Sequence, residues 1–128
     1  MFKYVRDNGG ANVPTTKTIP ANTAVTYADG DALVITSGKA AKCGATVKPE
    51  YICASKGLGL SQVAAYQVLD GQEYKVPIYG DGTALAVGAK VTLHTDSAQV
   101  TATTTSGVAE IIEKCGSGAS GTEVIVRF

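Results

Sequence analysis

The chain contains no tryptophan, and aromatic residues make up only 6% of it. It has a single histidine, His94, and no Cys-x-x-Cys pair among its three cysteines, Cys43, Cys53 and Cys115. Each shortage removes a class of function. Without a second histidine or a paired cysteine, a zinc site has too few ligands. One histidine must serve as base for any serine or cysteine nucleophile, with an acid to orient it. His94 instead sits mid-strand beside threonines, on the solvent side opposite Leu93, and no G-x-S-x-G elbow occurs. Lys plus Arg equals Asp plus Glu, 11 each, so the basic surplus of a general nucleic-acid binder is missing. No stretch approaches the roughly 18 apolar residues of a membrane span. The opening Met1-Phe2-Lys3-Tyr4-Val5-Arg6-Asp7 lacks the apolar region of a signal peptide. An odd number of widely spaced cysteines suits free thiols in a reducing cytoplasm. The expectation is a protein that is not an enzyme and carries no metal or cofactor.

What is present is strand grammar. Hydrophobic residues reach 45%, much of this alanine and valine, so the core should be thin. The last third alternates apolar and polar residues: Lys90-Val91-Thr92-Leu93-His94-Thr95, then Gln99-Val100-Thr101-Ala102-Thr103, then Glu110 to Cys115 and Glu123 to Phe128. Asp96-Ser97-Ala98 and a Gly/Ser segment separate these runs. Period-two patterning with β-branched residues predicts an antiparallel meander. Earlier, Ala32-Leu33-Val34-Ile35 and Lys39 to Cys43 flank the turn Thr36-Ser37-Gly38. Tyr51 to Ala54 reads as a further strand. Gln62 to Leu69 reads as a strand or one short helix, and Val63, Tyr66 and Val68 with no good cap before them favour the strand. Glu73 to Tyr79 is a strand that Pro77 demotes to a sheet edge or a bulge, because proline cannot donate to a ladder. Residues 83–87 could form one helical turn before Gly88. The fold class is all-β: a small antiparallel barrel or sandwich with short hairpins, one domain over residues 1–128. Phe2 to Val5 reads as a short strand. Asp7 to Thr23 is polar and broken by Gly9-Gly10, Pro14 and Pro20, so residues 1–23 are expected to form an extended arm.

Two motifs look chemical and are read as turns. Gly116-Ser117-Gly118-Ala119-Ser120-Gly121 matches G-x-G-x-x-G, but a strand follows it where a dinucleotide site needs a helix. Asp29-Gly30-Asp31 and Asp81-Gly82 lack the closing acid of a calcium loop. Tyrosines are better placed for contact, since Tyr buries area at interfaces while keeping a hydrogen bond.

The order of these pieces resembles the small capsid-decoration, or cement, proteins of tailed bacteriophages and prophages. The residues that carry the likeness are Gly30-Asp31-Ala32-Leu33-Val34 opening a hairpin, the run Gln72 to Ile78, Ala84 to Leu93, Gln99-Val100-Thr101, and the ending Gly121-Thr122-Glu123-Val124-Ile125-Val126-Arg127-Phe128. In that family a G-x-x-V-Y/T stretch heads a hairpin, and the chain closes on a V-x-V-R-hydrophobic strand. The likeness covers residues 32–128. It leaves residues 51–69 and the polar arm unmatched. It implies a virion structural protein, made in the bacterial host cytoplasm and placed on the capsid surface. Such a protein would be trimeric, with the major capsid protein as partner and head stabilisation as its role. Phe2, Tyr4, Val13, Pro14, Ile19 and Tyr79 are the expected oligomer or capsid contacts. A tail or baseplate β-protein of the same virion, or a carbohydrate- or ligand-binding β module, are the alternatives.

Overall fold

A computed structural model describes residues 1–7 and 14–128. Eleven strands occur among them: β1 (Lys3–Arg6), β2 (Thr16–Pro20), β3 (Ala32–Thr36), β4 (Lys39–Lys42), β5 (Tyr51–Cys53), β6 (Gln62–Gln67), β7 (Glu73–Tyr79), β8 (Lys90–Val91), β9 (Val100–Thr101), β10 (Ala109–Lys114) and β11 (Glu123–Arg127). No helix is found among the described residues, and residues 83–87 form successive turns. One sheet has the order β1-β7-β11-β10-β8, with β9 pairing in parallel beside the end of β7. The other has the order β2-β6-β5-β3-β4, antiparallel throughout. The fold is therefore all-β with two largely antiparallel sheets, a small sandwich. It is not a closed barrel: the second sheet curls until β2 and β4 meet, but only at the single bridge Ala21–Ala40.

The curl explains why Ala32 and Leu33, on opposite faces of β3, are both fully buried, while Ile35 further along the strand is exposed. Successive strand residues face opposite sides. Ala32 and Ile52 join the main core between the sheets, with Tyr74, Val76, Ile78, Val124 and Val126 opposite. Leu33, Cys53, Val63 and Ala65 face the other way, into a second cluster inside the curl with Ile19 and Tyr27. A strand buried on both faces reads as continuous hydrophobicity. Tyr27 fills this second cluster at 1% exposure, and its hydroxyl donates to Ala40 O at 2.8 Å. Ser37 and Gly38 both have positive φ, 50° and 74°, which is the tight hairpin turn that matches strand twist.

The N-terminal segment is corrected by the structure. Residues 14–23 are no free arm. Thr16–Pro20 pairs with β6 over five residues, from Thr16–Tyr66 to Pro20–Gln62, burying Ile19. Pro20 suggested a break, but it stands at the end of an edge strand, where proline is tolerated. Met1 to Arg6 is also part of the body: Phe2 N–H donates to Gly30 O at 2.9 Å, and β1 pairs with β7. Asn8 to Val13 lie outside the described residues.

Pro77 corrects a second expectation. β7 lies inside its sheet, between β11 on one side and β1 and β9 on the other. Ile78 N–H donates to Thr122 O at 2.9 Å. The nitrogen of Pro77, one residue earlier, therefore faces the opposite side. There it falls between the Lys3–Lys75 pair of β1 and the Ile78–Val100 pair of β9. The missing donor lands where no ladder bond is required.

A buried serine is one of the stitches between the two sheets. Ser97 is fully buried; its carbonyl accepts Ala32 N–H at 2.7 Å and its hydroxyl donates to Cys43 O at 2.8 Å. On the outer face of the first sheet, charges pair off: Arg6–Glu73 at 2.7 Å, Arg127–Glu110 at 3.1 Å and Lys75–Glu123 at 3.3 Å. The balanced composition thus reappears as cross-strand ion pairs; Arg127–Glu110 and Lys75–Glu123 are part-exposed and modest in energy, whereas the Glu73 side chain is only 11% exposed.

Candidate functional site

β7 runs the length of its sheet. Its seven residues set the two ends of the body roughly 20 Å apart at about 3.3 Å per residue. Each end presents a different surface.

At the end where β7 begins, the connection from β6 to β7 and the loop before β5 come together. Val68 N–H donates to Glu50 O at 2.9 Å, and Lys48 Nζ lies 3.4 Å from Asp70 Oδ1. Gln72 Oε1 fixes the connection from inside, accepting Leu69 N–H at 2.8 Å and the Tyr74 hydroxyl at 2.7 Å. On this tethered frame Leu69 is 54% exposed and Val47 is 46% exposed. Two shallow hollows of about 300 Å³ flank Gln67. One is lined by Lys48, Pro49, Glu50 and Tyr51, the other by Pro14, Thr15, Lys17 and Leu69. The Lys17 ammonium donates to Gln67 Oε1 between them.

At the end where β7 finishes, Tyr79 is 54% exposed. Its ring stacks on the His94 imidazole with centroids 4.2 Å apart and planes tilted by 34°. His94 Nδ1 lies 3.2 Å from Asp96 Oδ1. Asp96 accepts Ala98 N–H at 2.8 Å and Gln99 Nε2 at 2.7 Å. Partial burial pushes the Asp96 carboxyl up, but these two donors and His94 outweigh it and hold the group below its ordinary range.

Nearby, Lys114 clamps the loop between β7 and β8. Its ammonium donates to Thr83 O and Leu85 O, both at 3.0 Å, and reaches Gly82 O at 3.4 Å. The glycine-rich segment crosses this loop closely: Gly82 N–H donates to Gly118 O at 2.8 Å, and a Cβ on Gly118 would fall 2.7 Å from Gly82 O. The G-x-G-x-x-G match is thus the loop of the β10–β11 hairpin, with Gly118 placed by backbone contact. Replacing Lys114 by Met is expected to cost about 1.5–3 kcal/mol, since it strips a charged donor from three carbonyls. Urea unfolding would measure this, with faster amide exchange over residues 82–89 as the local sign.

The sequence-derived contact residues divide sharply. Phe2 and Ile19 are buried, at 3% and 8% exposure, so they are packing residues and not exposed contacts. Tyr4 is half-buried and packs edge-on against Tyr74 with centroids 6.0 Å apart. Pro14 lines a hollow at the loop end. Val13 lies outside the described residues. Tyr79 is exposed, at the opposite end from Pro14. Val47, Leu69, His94 and Asp96 were not singled out as contacts. A lone exposed leucine carries no signal in sequence, and the Tyr79–His94 stack joins residues far apart in the chain.

Cys43 and Cys53 are buried and Cys115 is exposed, all three unpaired. Burial pushes the Cys43 thiol up to about 11, and its Sγ donates to Val47 O at 2.9 Å, so it is an inert packing group. Among the described residues no three His, Cys, Asp or Glu side chains gather as metal ligands, and no helix is long and apolar enough to cross a membrane. No family model, curated protein or solved structure matches this chain.

Proposed function

We propose that this chain is a virion structural protein that binds the outer surface of a phage or prophage capsid and stabilises it by non-covalent contacts. The observation that carries the reading is the loop end, where Val47 and Leu69 stand exposed beside a frame held by the Val68–Glu50 backbone bond and Gln72. A rigid apolar tip loses little entropy on docking, so most of its burial becomes affinity. The sheet edges argue against association by strand addition. β2 carries Lys17 and Pro20, and β4 carries Lys39 and Lys42, residues that blunt an edge. Contact through loop tips leaves the sandwich unchanged on binding, which suits a protein repeated many times on a lattice.

Such docking is weak per copy and gains strength from number. Three copies engaging a three-fold position together gain avidity without any new type of contact. The partner is then the major capsid protein, with self-association as a trimer, and the work is done without catalysis or a cofactor. Co-sedimentation with heads of the virus or prophage that encodes the chain tests this. Wild-type protein is expected to pellet with the heads. A Val47→Asp, Leu69→Asp double variant is expected to bind at least tenfold more weakly, because each substitution sets a charge in a desolvated contact. Its circular dichroism should match wild type, since both side chains are exposed. Wild-type protein that stays in the supernatant would reject the reading.

A further inference from the structure

We infer that the shelf made by Tyr79 and His94 is a binding site for a neutral pyranose ring. The ring of Tyr79 is exposed yet immobilised. Its backbone pairs with Thr101 in the parallel β7–β9 ladder, and one ring face is stacked on His94. An aromatic surface fixed before contact gives up little freedom when a ligand covers it. A pyranose offers the complementary shape: a flat patch of C–H bonds, slightly positive, for the negative face of a tyrosine ring, and a rim of hydroxyls.

The rim groups find partners already positioned. The Asp96 carboxylate is oriented by Ala98 N–H and Gln99 Nε2, and a carboxylate has about four lone-pair sites, so acceptor capacity remains for a sugar hydroxyl. Gln99 Oε1 is a second acceptor beside it. With Nδ1 of His94 engaged by Asp96, Nε2 is the ring nitrogen left for a ligand. The Tyr79 hydroxyl completes a set that both donates and accepts, as sugar hydroxyls require. The Asp96 carboxylate would repel a second anion placed directly against it. One stacked ring and a few hydrogen bonds give weak affinity, on the order of millimolar.

This site lies at the opposite end of β7 from Leu69, while the loop that carries Val47 also touches the segment before His94, where Leu93 N–H donates to Ala45 O at 2.8 Å. The inference does not depend on docking, and its test uses the free protein. The full-length chain, labelled with ¹⁵N, would be titrated with cellotetraose, chitotriose and maltotetraose to about 10 mM, well above a millimolar dissociation constant. At least one of the three is expected to shift the amides of Tyr79, His94 and Gln99 in a saturable way. Tyr79→Ala is expected to weaken that binding at least tenfold while leaving the remaining spectrum in place, and Tyr79→Phe to retain most of it. Three flat titrations would overturn the assignment. Shifts that persist unchanged in Tyr79→Ala, or that centre on another surface, would overturn it as well. Burial of Tyr79 against heads, with no sugar bound in solution, would make the shelf a protein contact instead.

Discussion

Removal of residues 121–128 is expected to leave a chain with no cooperative unfolding transition. β11 is an interior strand of its sheet, with β7 on one side and β10 on the other. Its ladder to β7 runs over five pairs, from Glu123–Pro77 to Arg127–Glu73, and its removal exposes both neighbours along that length. The same cut takes Val124 and Val126 out of the main core, and the Phe128 ring from its packing against Phe2 and Tyr74. Burying a side chain of this size contributes about 1.5–3 kcal/mol, so three together are of the order of the 5–15 kcal/mol that holds a typical domain. Thermal melting followed by circular dichroism would show a flat trace in place of a sigmoid. A truncated chain that melted at the wild-type temperature would contradict the topology.

The second large effect is at Tyr74. The residue is fully buried, and its ring sits between Tyr4 at 6.0 Å and Phe128 at 5.8 Å between centroids. Phe2 extends the row beyond Phe128 at 5.5 Å. Tyr74→Ala leaves a cavity in the middle of that row, in a chain with few aromatics to spare. The expected loss is about 3–5 kcal/mol, as for other large buried rings. Tyr74→Phe keeps the packing and removes only the hydrogen bond to Gln72, so about 1 kcal/mol is expected. Tyr79→Ala, at the exposed end of the same strand, should change stability by no more than about 0.5 kcal/mol. Urea unfolding of the three variants separates these outcomes. Equal losses at Tyr74 and Tyr79 would mean that the core has been drawn in the wrong place.

Local patterning in the sequence was a good guide wherever a strand had one wet face or a turn had its own chemistry. The Ser37-Gly38 hairpin, the strands at residues 51–53 and 62–67, and the closing hairpin of β10 and β11 all follow from alternation and turn residues. Leu93 is buried as the alternation requires, but the strand stops at Val91 and His94 lies beyond it, with its side chain 24% exposed. The reading failed where the partner of a residue was remote in sequence. Pro77 looked like an edge because its own run gives no hint that β1 and β9 divide the far side of β7. Thr16–Pro20 looked like an arm because proline marks both an edge strand and a loop. The Ser97 stitch, the Lys114 clamp and the Tyr79–His94 shelf each join segments at least 15 residues apart. No periodicity announces such pairs. Phe2 shows the converse: an aromatic residue near the start of a chain suggests an exposed anchor, yet the pairing of β1 with β7 carries it into the core.

The docking claim is tested most directly by amide hydrogen exchange on the protein alone and bound to heads. Docking through the loop end requires new protection at residues 46–50 and 68–71, with exchange at Tyr79, His94 and Gln99 unchanged. Protection confined to the Tyr79 end, with residues 46–50 and 68–71 exchanging as in the free protein, would contradict it.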